Sequence, residues 1–443
     1  MSSGASGGAL LLVAAIFSGA SAGSAETGSA SRARHAVDAA LDWLKRHQSP
    51  DGSWEALKWE SQAKTDPGVT GLALLAFLRA GHNGKEGEYK DVVTKAAAWI
   101  VSKQAANGCI GSGYEGTEPA GVGYHHPICG LALAEAFRAN GNEAWAGPAQ
   151  KAVDYSVGVH QIPGSGWRYT PRAASETTGA GAGVADLSVT GWFVMQLKSA
   201  EDAGLKVPKS GKAGALAFID RVTNRPGRCS YQPTPPGGVA TCTPSMTAVG
   251  ACCRLLTGTD AGDPGVNAAA DHLAKAALPE WGENGCRVDL YCWFHATSVM
   301  AALGGERARR WSKALLATLC DNQRKADHQH PRDDPARDVD GSWDPLCLCG
   351  ARGGRACATA MGALALLAAG KGFDGLDDAP VPRVAPAPTP EESAAQLLGM
   401  AANYRRNGMD DRAREILQSI LKDFPDTGAA ARAREELNAA GAR

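Results

Sequence analysis

The chain has 443 residues and carries 45 basic against 46 acidic side chains, a formal net charge of -1. That balance excludes the basic excess a nucleic-acid-binding surface needs, and the length leaves room for one large repeat domain with additions or for two or three ordinary domains. Aromatic residues make up only 6% while alanine and glycine are abundant, which suits closely packed helices and not a sandwich of β-branched strands.

Taken in order, the chain opens with an apolar run from Ala9 to Phe17, too short to span a bilayer, followed by Ala20-Ser21-Ala22. Small residues at that spacing suit signal peptidase, so residues 1–25 are expected to be an export signal, although no Lys or Arg precedes the run. The expected location is therefore periplasmic or extracellular. No later stretch is apolar and long enough to cross a membrane.

From residue 32 to 371 one pattern recurs at intervals of about 58 residues, the mark of a repeat architecture. A polar glycine turn falls at Gly52, Gly108, Gly166, Gly227, Gly285 and Gly341. Before the first turn, residues 35–47 place Val37, Ala40, Leu41 and Leu44 at helical spacing, which predicts an amphipathic helix facing water on one side. Equivalent helices are predicted over 92–103, 149–159, 213–222, 268–278 and 308–319. Trp54, Trp167, Tyr231 and Trp343 take an aromatic place in the turn, with Cys109 and Cys286 standing in for it in two repeats.

Each turn leads to a second helix whose start carries Thr70, Cys129, Thr190, Thr247, Thr297 or Thr359, followed by a small residue. These helices are apolar nearly all round, so they are predicted to be buried. Alternating buried and half-buried helices joined by short turns describe two concentric layers, and six such hairpins can close into a ring. Near the end of this region, residues 324–337 form a charged insertion, a weak candidate for partner contact.

Twelve cysteines are present. In an exported protein they read first as disulfides pinning loops, Cys229 with Cys242 being the one suggestive bracket. Cys347, Cys349 and Cys357 cluster in the last turn. A metal reading there would have to recruit His328 or His330, and no metal or other cofactor is expected.

Gln48 to Trp54, its relatives at Gln161 to Trp167 and Gln323 to Trp343, and the segment Asp289 to Met300 resemble the repeats of the squalene-cyclase and protein-prenyltransferase superfamily. The resemblance covers about residues 35–370 and implies an all-α fold, an α6/α6 toroid whose apolar helices line a central cavity. Its catalytic motifs are not intact: Asp338-Val-Asp340-Gly341 is short of the cyclase Asp-x-Asp-Asp, and Asp340-Gly341-Ser342 and Asp289-Leu-Tyr291-Cys292 each lack one prenyltransferase zinc ligand.

Position alone still gathers polar residues. Side chains at the same place in successive repeats converge on one mouth of a ring, so Asp66, His125, His126, Asp186, Asp289, Tyr291 and His295 are candidates to line it. A carboxylate beside an imidazole suits general acid–base work. The same residues suit a second role, since Asp66-Pro67, His126-Pro127 and Thr243-Pro244 look like helix starts, and His125 and His295 equally fit packing positions.

After Gly370 the composition changes. Residues 372–391 form a proline-rich spacer, and Leu397, Met400, Ala401, Tyr404, Ala413, Leu417, Ile420 and Pro425 fall on the positions of a tetratricopeptide repeat. Residues 392–440 are accordingly expected to be a small helical hairpin with a capping helix, suited to a protein partner. The expected function is binding of an apolar or extended ligand, or scaffolding; the alternative is an enzyme acting on an isoprenoid, terpenoid or polysaccharide.

Overall fold

The computed structural model describes residues 28–114, 121–171, 184–224, 226–234, 241–282, 287–326, 338–376, 389–406 and 410–441. The expected export signal, Gly285, Cys286, most of the insertion at 324–337 and most of the proline-rich spacer lie outside them. Among the described residues the protein is all-α. Six outer helices are α1 (Gly28–Arg46), α3 (Lys90–Ser102), α5 (Glu143–Tyr155), α7 (Lys209–Val222), α9 (Pro264–Ala276) and α11 (Gly305–Asp321). Six inner helices alternate with them: α2 (Asp66–Arg79), α4 (Val122–Asn140), α6 (Leu187–Asp202), α8 (Pro244–Leu256), α10 (Leu290–Leu303) and α12 (Leu348–Ala368).

Each inner helix packs on the next, and α12 packs back on α2, so the inner layer is closed. The composition explains the closeness. Every residue of α2 is buried, and a side chain at Gly71 would bring a Cβ to 2.9 Å from Ile128 Cγ2 and 3.3 Å from the Cys129 nitrogen. Small residues let backbones approach, and dispersion contacts on all sides then hold the layer. The outer helices bury one stripe only, as Val37, Ala40, Leu41 and Leu44 do in α1.

A clasp of side-chain-to-backbone bonds joins the first, second, third and sixth turns to the following repeat. Gln48 Nε2 donates to Gly52 O and to Val92 O at the start of α3, both at 3.0 Å. Gln104 does the same to Gly108 O and Pro148 O, and Gln161 to Ser165 O and Gly211 O. Gln323 donates to Gly341 O and reaches Ala36 O at 2.7 Å, joining the last turn to the first outer helix. Inside the turn, the Trp54 indole donates to Leu44 O and the Trp54 amide donates to Thr70 Oγ1. Trp167 with Thr190 and Trp343 with Thr359 repeat the pattern.

Backbone crowding fixes the turn glycine. Gly52, Gly108, Gly227 and Gly341 have φ of 97, 91, 94 and 90°, and a Cβ on any of them would lie 2.3 or 2.4 Å from a carbonyl oxygen of the next outer helix. Only glycine meets both demands. In the third repeat the expected pivot Gly166 is displaced by one residue: the clasp is made through Ser165, and the small residue sits on the opposing helix as Gly214, where a Cβ would be 2.8 Å from Ser165 O.

Four further sequence assignments shift. Cys229, not Tyr231, occupies the tryptophan place of the fourth repeat, its amide donating to Thr247 Oγ1 at 3.2 Å. In the second repeat that place belongs to Ile110, not Cys109, and its amide donates to His126 Nδ1 at 3.0 Å, so His126 stands where the other repeats have threonine and not Cys129. Helix α4 begins at Val122, which puts Pro127 inside it; the histidine pair is therefore part of the helix and does not precede it. All eleven described cysteines are free thiols, Cys229 and Cys242 included.

Past the ring, α13 (Pro390–Arg406), α14 (Asp410–Asp423) and α15 (Gly428–Gly441) bury a core of their own around Ala401, Leu417, Ile420 and Ala430. Glu391 accepts from the amides of Gly428 and Ala429, which ties the start of α13 to the start of α15. No helix among the described residues is long and apolar enough to cross a membrane.

Candidate functional site

The starts of the inner helices lie on one end of the ring, so sequence candidates at those starts share that end. Local bonding decides what each can do. Asp66, 2% exposed, is not the cap of its own helix: Oδ1 accepts the Ala56 amide at 2.8 Å and Oδ2 accepts the Tyr114 hydroxyl at 2.8 Å. Asp186 caps α6, accepting the Ser188 amide at 2.9 Å and the Ser188 hydroxyl at 2.5 Å. Asp289 caps α10 through the Cys292 amide at 2.8 Å and accepts the Ser245 hydroxyl at 2.5 Å. Burial holds the Asp289 carboxyl above the usual carboxylate range, against the pull of those bonds. Each carboxylate is thus engaged on both oxygens or doubly on one.

The histidines divide. His126 accepts the Ile110 amide on Nδ1, so its proton resides on Nε2, which faces Ser156 Oγ at 2.9 Å and Ala152 O at 3.2 Å. Its ring fills space beside Tyr155 and Phe193. Burial lowers its pKa to about 3, which keeps it neutral. His125 packs over Gly68 of α2, with Nδ1 unpartnered and a pKa lowered to about 4 by burial.

His295 stands apart. It is wholly buried, neither ring nitrogen has a hydrogen-bond partner, and its neighbours are Tyr291, Phe294 and Trp192 at centroid distances of 4.7, 5.1 and 5.7 Å. Burial, and then the positive charge of Arg79, lower its pKa to about 3. Deeper in the ring, Arg79 pairs with Glu135 at 2.7 Å, Ser199 donates to the same carboxylate at 3.2 Å, and the guanidinium lies 5.5 Å from the Phe294 ring. Trp192 and Phe294 stack at 5.9 Å. Apolar rings and one paired charge therefore occupy the interior between α2, α4, α6 and α10.

Three of the candidates meet. Tyr291 donates to Ser188 O at 2.8 Å, Asp186 holds Ser188, and His295 lies one turn below Tyr291. Two residues that sequence reasoning passed over complete the cluster: the Tyr124 hydroxyl is 2.9 Å from Ser188 Oγ, and Tyr169 is 3.3 Å from it. Tyr124 and Tyr291 are half-buried and present hydroxyls and ring edges at this end. Tyrosine and serine carry no motif of their own; the only available signal was the position of Tyr124 directly before the histidine pair. Asp66 and Asp289 stay outside this cluster, each with its own hydroxyl partner. Among the described residues no group of three His, Cys, Asp or Glu side chains is arranged to hold a metal ion.

This fold is the α/α toroid, and solved structures of the same kind match it over most of its length. A cellobiose 2-epimerase from Spirochaeta thermophila superposes with a TM-score of 0.53 at 14% identity, covering 78% of this chain and 96% of that one. An inactive variant of an α-1,6-mannanase from Salegentibacter, in complex with α-1,6-mannotriose, gives a TM-score of 0.50 at 9% identity, covering 76% and 99%. A type II terpene cyclase from Scytonema gives 0.48 at 14% identity. No family model and no curated protein sequence matches the chain.

Proposed function

We propose that the protein is an exported toroid that binds an extended, hydroxyl-rich ligand of the glycan class across the tyrosine-lined end of the ring, without turning it over. The observation that carries this reading is the engagement of Asp66, Asp186 and Asp289 by the protein's own amides and hydroxyls, which gives each of these carboxylates a role in holding the helix starts and turns. Tyr124, Tyr291 and the polar groups around Ser188 supply aromatic edges and hydroxyl oxygens, groups that sugars pack against and hydrogen-bond to. The mannanase and the epimerase act on sugars on the same fold, which supports the ligand class; for the mannanase, inactivity comes from replacing two aspartates with asparagine. Helices α13 to α15 are read as a tetratricopeptide-like unit that holds a protein partner.

An acid–base enzyme is the second reading, favoured by the unpartnered imidazole of His295 beside Tyr291. The test is to incubate the full chain with a panel of α- and β-linked oligosaccharides, following binding by calorimetry and turnover by chromatography. Binding that falls at least tenfold in Tyr124→Ala, with no product formed, is the expected outcome. Product that disappears in His295→Ala establishes the enzyme instead, and absence of binding to every glycan removes the ligand assignment.

A further inference from the structure

Helix α12 starts and bends in an unusual way, and three thiols gather there. Cys347 is its N-cap, with Sγ accepting the Gly350 amide at 3.2 Å. Two residues on, Cys349 brings its Sγ to 2.6 Å from that of Cys347. The helix then breaks at Gly354, whose φ is 69° and ψ -168°. Beyond the break Cys357 turns back toward Cys349, and lies so close to Gly353 that a Cβ there would be 2.3 Å from the Cys357 Cβ.

The break has a cause in the ring. Gly354 lies under the Trp59 carbonyl, to which a Cβ would approach within 2.0 Å. Thr65 Oγ1 and Ser61 Oγ both donate to Arg352 O, and the Gln62 amide donates to Ala351 O at 3.1 Å. The thiol segment is thus the part of the sixth repeat that docks on the first. Cys347 and Cys357 are 4% and 5% exposed, whereas Cys349 is the more open of the three.

We propose that Cys347 and Cys349 are a redox-active thiol pair that exchanges with small-molecule disulfides at this seam, Cys349 being the sulfur that attacks the incoming disulfide and Cys347 the one that closes the bond. Two thiol sulfurs 2.6 Å apart are about half an ångström from the ~2.05 Å of a disulfide, so the bond forms with little movement. The chemistry balances. Cys349, as thiolate, attacks one sulfur of the incoming disulfide and expels the first small thiol. Cys347 then attacks the Cys349 sulfur of the mixed disulfide and expels the second. Two electrons pass from the protein pair to the small disulfide, and the two protons lost by the cysteines end on the two released thiols. The Gly350 amide supports a thiolate on Cys347 in the second step, against the neighbouring Cys349 thiol and burial, which hold the Cys347 thiol well above the usual range. Cys357 packs against the pair and is not oxidised with it.

The test uses the full chain, reduced, freed of reductant and incubated with oxidised glutathione, then trapped with N-ethylmaleimide and mapped by mass spectrometry. Expected is a peptide containing Cys347 and Cys349 lighter by two hydrogens and unalkylated at both, with Cys357 alkylated after unfolding. Cys347→Ser is expected to accumulate glutathione on Cys349, and Cys357→Ser to keep the intramolecular bond. The unsubstituted protein decides the question even where a variant fails to fold. Full alkylation of Cys347 and Cys349, a bond to Cys357, or one zinc ion per chain protecting all three thiols until chelated would each overturn the proposal.

Discussion

The turns of the first, third and sixth repeats and those of the second and fourth do the same mechanical task with different contents. In the former a tryptophan is buried under the outer helix and its amide is accepted by a threonine hydroxyl. The second uses Ile110 and an imidazole, the fourth Cys229 and a threonine. The retained part is the amide, which must be satisfied wherever it is buried. The side chain filling the space is free to change. His126 takes the place of that threonine as the acceptor for the Ile110 amide, which accounts for a buried histidine at the candidate end without any chemistry.

The largest effect that would sharpen this comparison is at the tryptophans. Trp54→Ala removes a fully buried ring and its bond to Leu44 O, and should cost ~3–5 kcal/mol of unfolding free energy. Cys229→Ala, at the equivalent place, should cost about 1 kcal/mol. Urea titration of both variants measures the gap, and equal losses would mean the two turns are not equivalent.

Next in size is the pivot. Gly52→Ala forces a Cβ onto Lys95 O at a φ that L side chains avoid, for about 2–3 kcal/mol. Ser165→Ala, where the opposing helix supplies the glycine, should change stability by about 0.5 kcal/mol. A similar loss in both, by thermal melting, would refute the exchange of roles between Ser165 and Gly214.

The smallest effect at neutral pH concerns the imidazoles. His125, His126 and His295 have folded pKa values lowered to about 4, 3 and 3 by burial, below the value of 6.5 they approach when unfolded. Between those limits the unfolded chain binds more protons, so their contribution is complete above pH 6.5 and is lost as pH falls toward about 4 for His125 and about 3 for His126 and His295. His295, which makes no hydrogen bond, should be separable from His126, which makes two or more. His295→Leu is expected to melt close to the parent at pH 8 and above it at pH 5, whereas His126→Leu should melt lower at both because it orphans the Ile110 amide. A His295→Leu melting curve that follows the parent at both pH values would remove His295 from the acid response.

Much of the ring was legible in the sequence because glycine spacing and all-apolar helices are imposed by the backbone. The exceptions are instructive. Gly166 attracted the third pivot because a glycine stands there, but the crowding is pairwise and can be relieved from Gly214. Gln104 was missed as a clasp because its turn has no aromatic residue, although it bonds like Gln48. At the candidate end, position correctly set several polar residues at helix starts. It could not tell a carboxylate engaged by amides from one free to act, since hydrogen bonding is decided by neighbours far along the chain, as Tyr114 is for Asp66.

The bond from Gln323 to Ala36 spans 287 positions, and Arg46 pairs with Asp338 at 2.8 Å while the Trp43 indole donates to Asp338 O. Helix α1 thus belongs between α12 and α2, made of the first segment described and completed by the sixth turn. A nascent chain emerging from its N-terminus presents α1 with the partners on only one of its sides until the sixth turn has been synthesised. Until then the stripe of α1 that faces the sixth repeat has no cover, and closure of the ring is a long-range event.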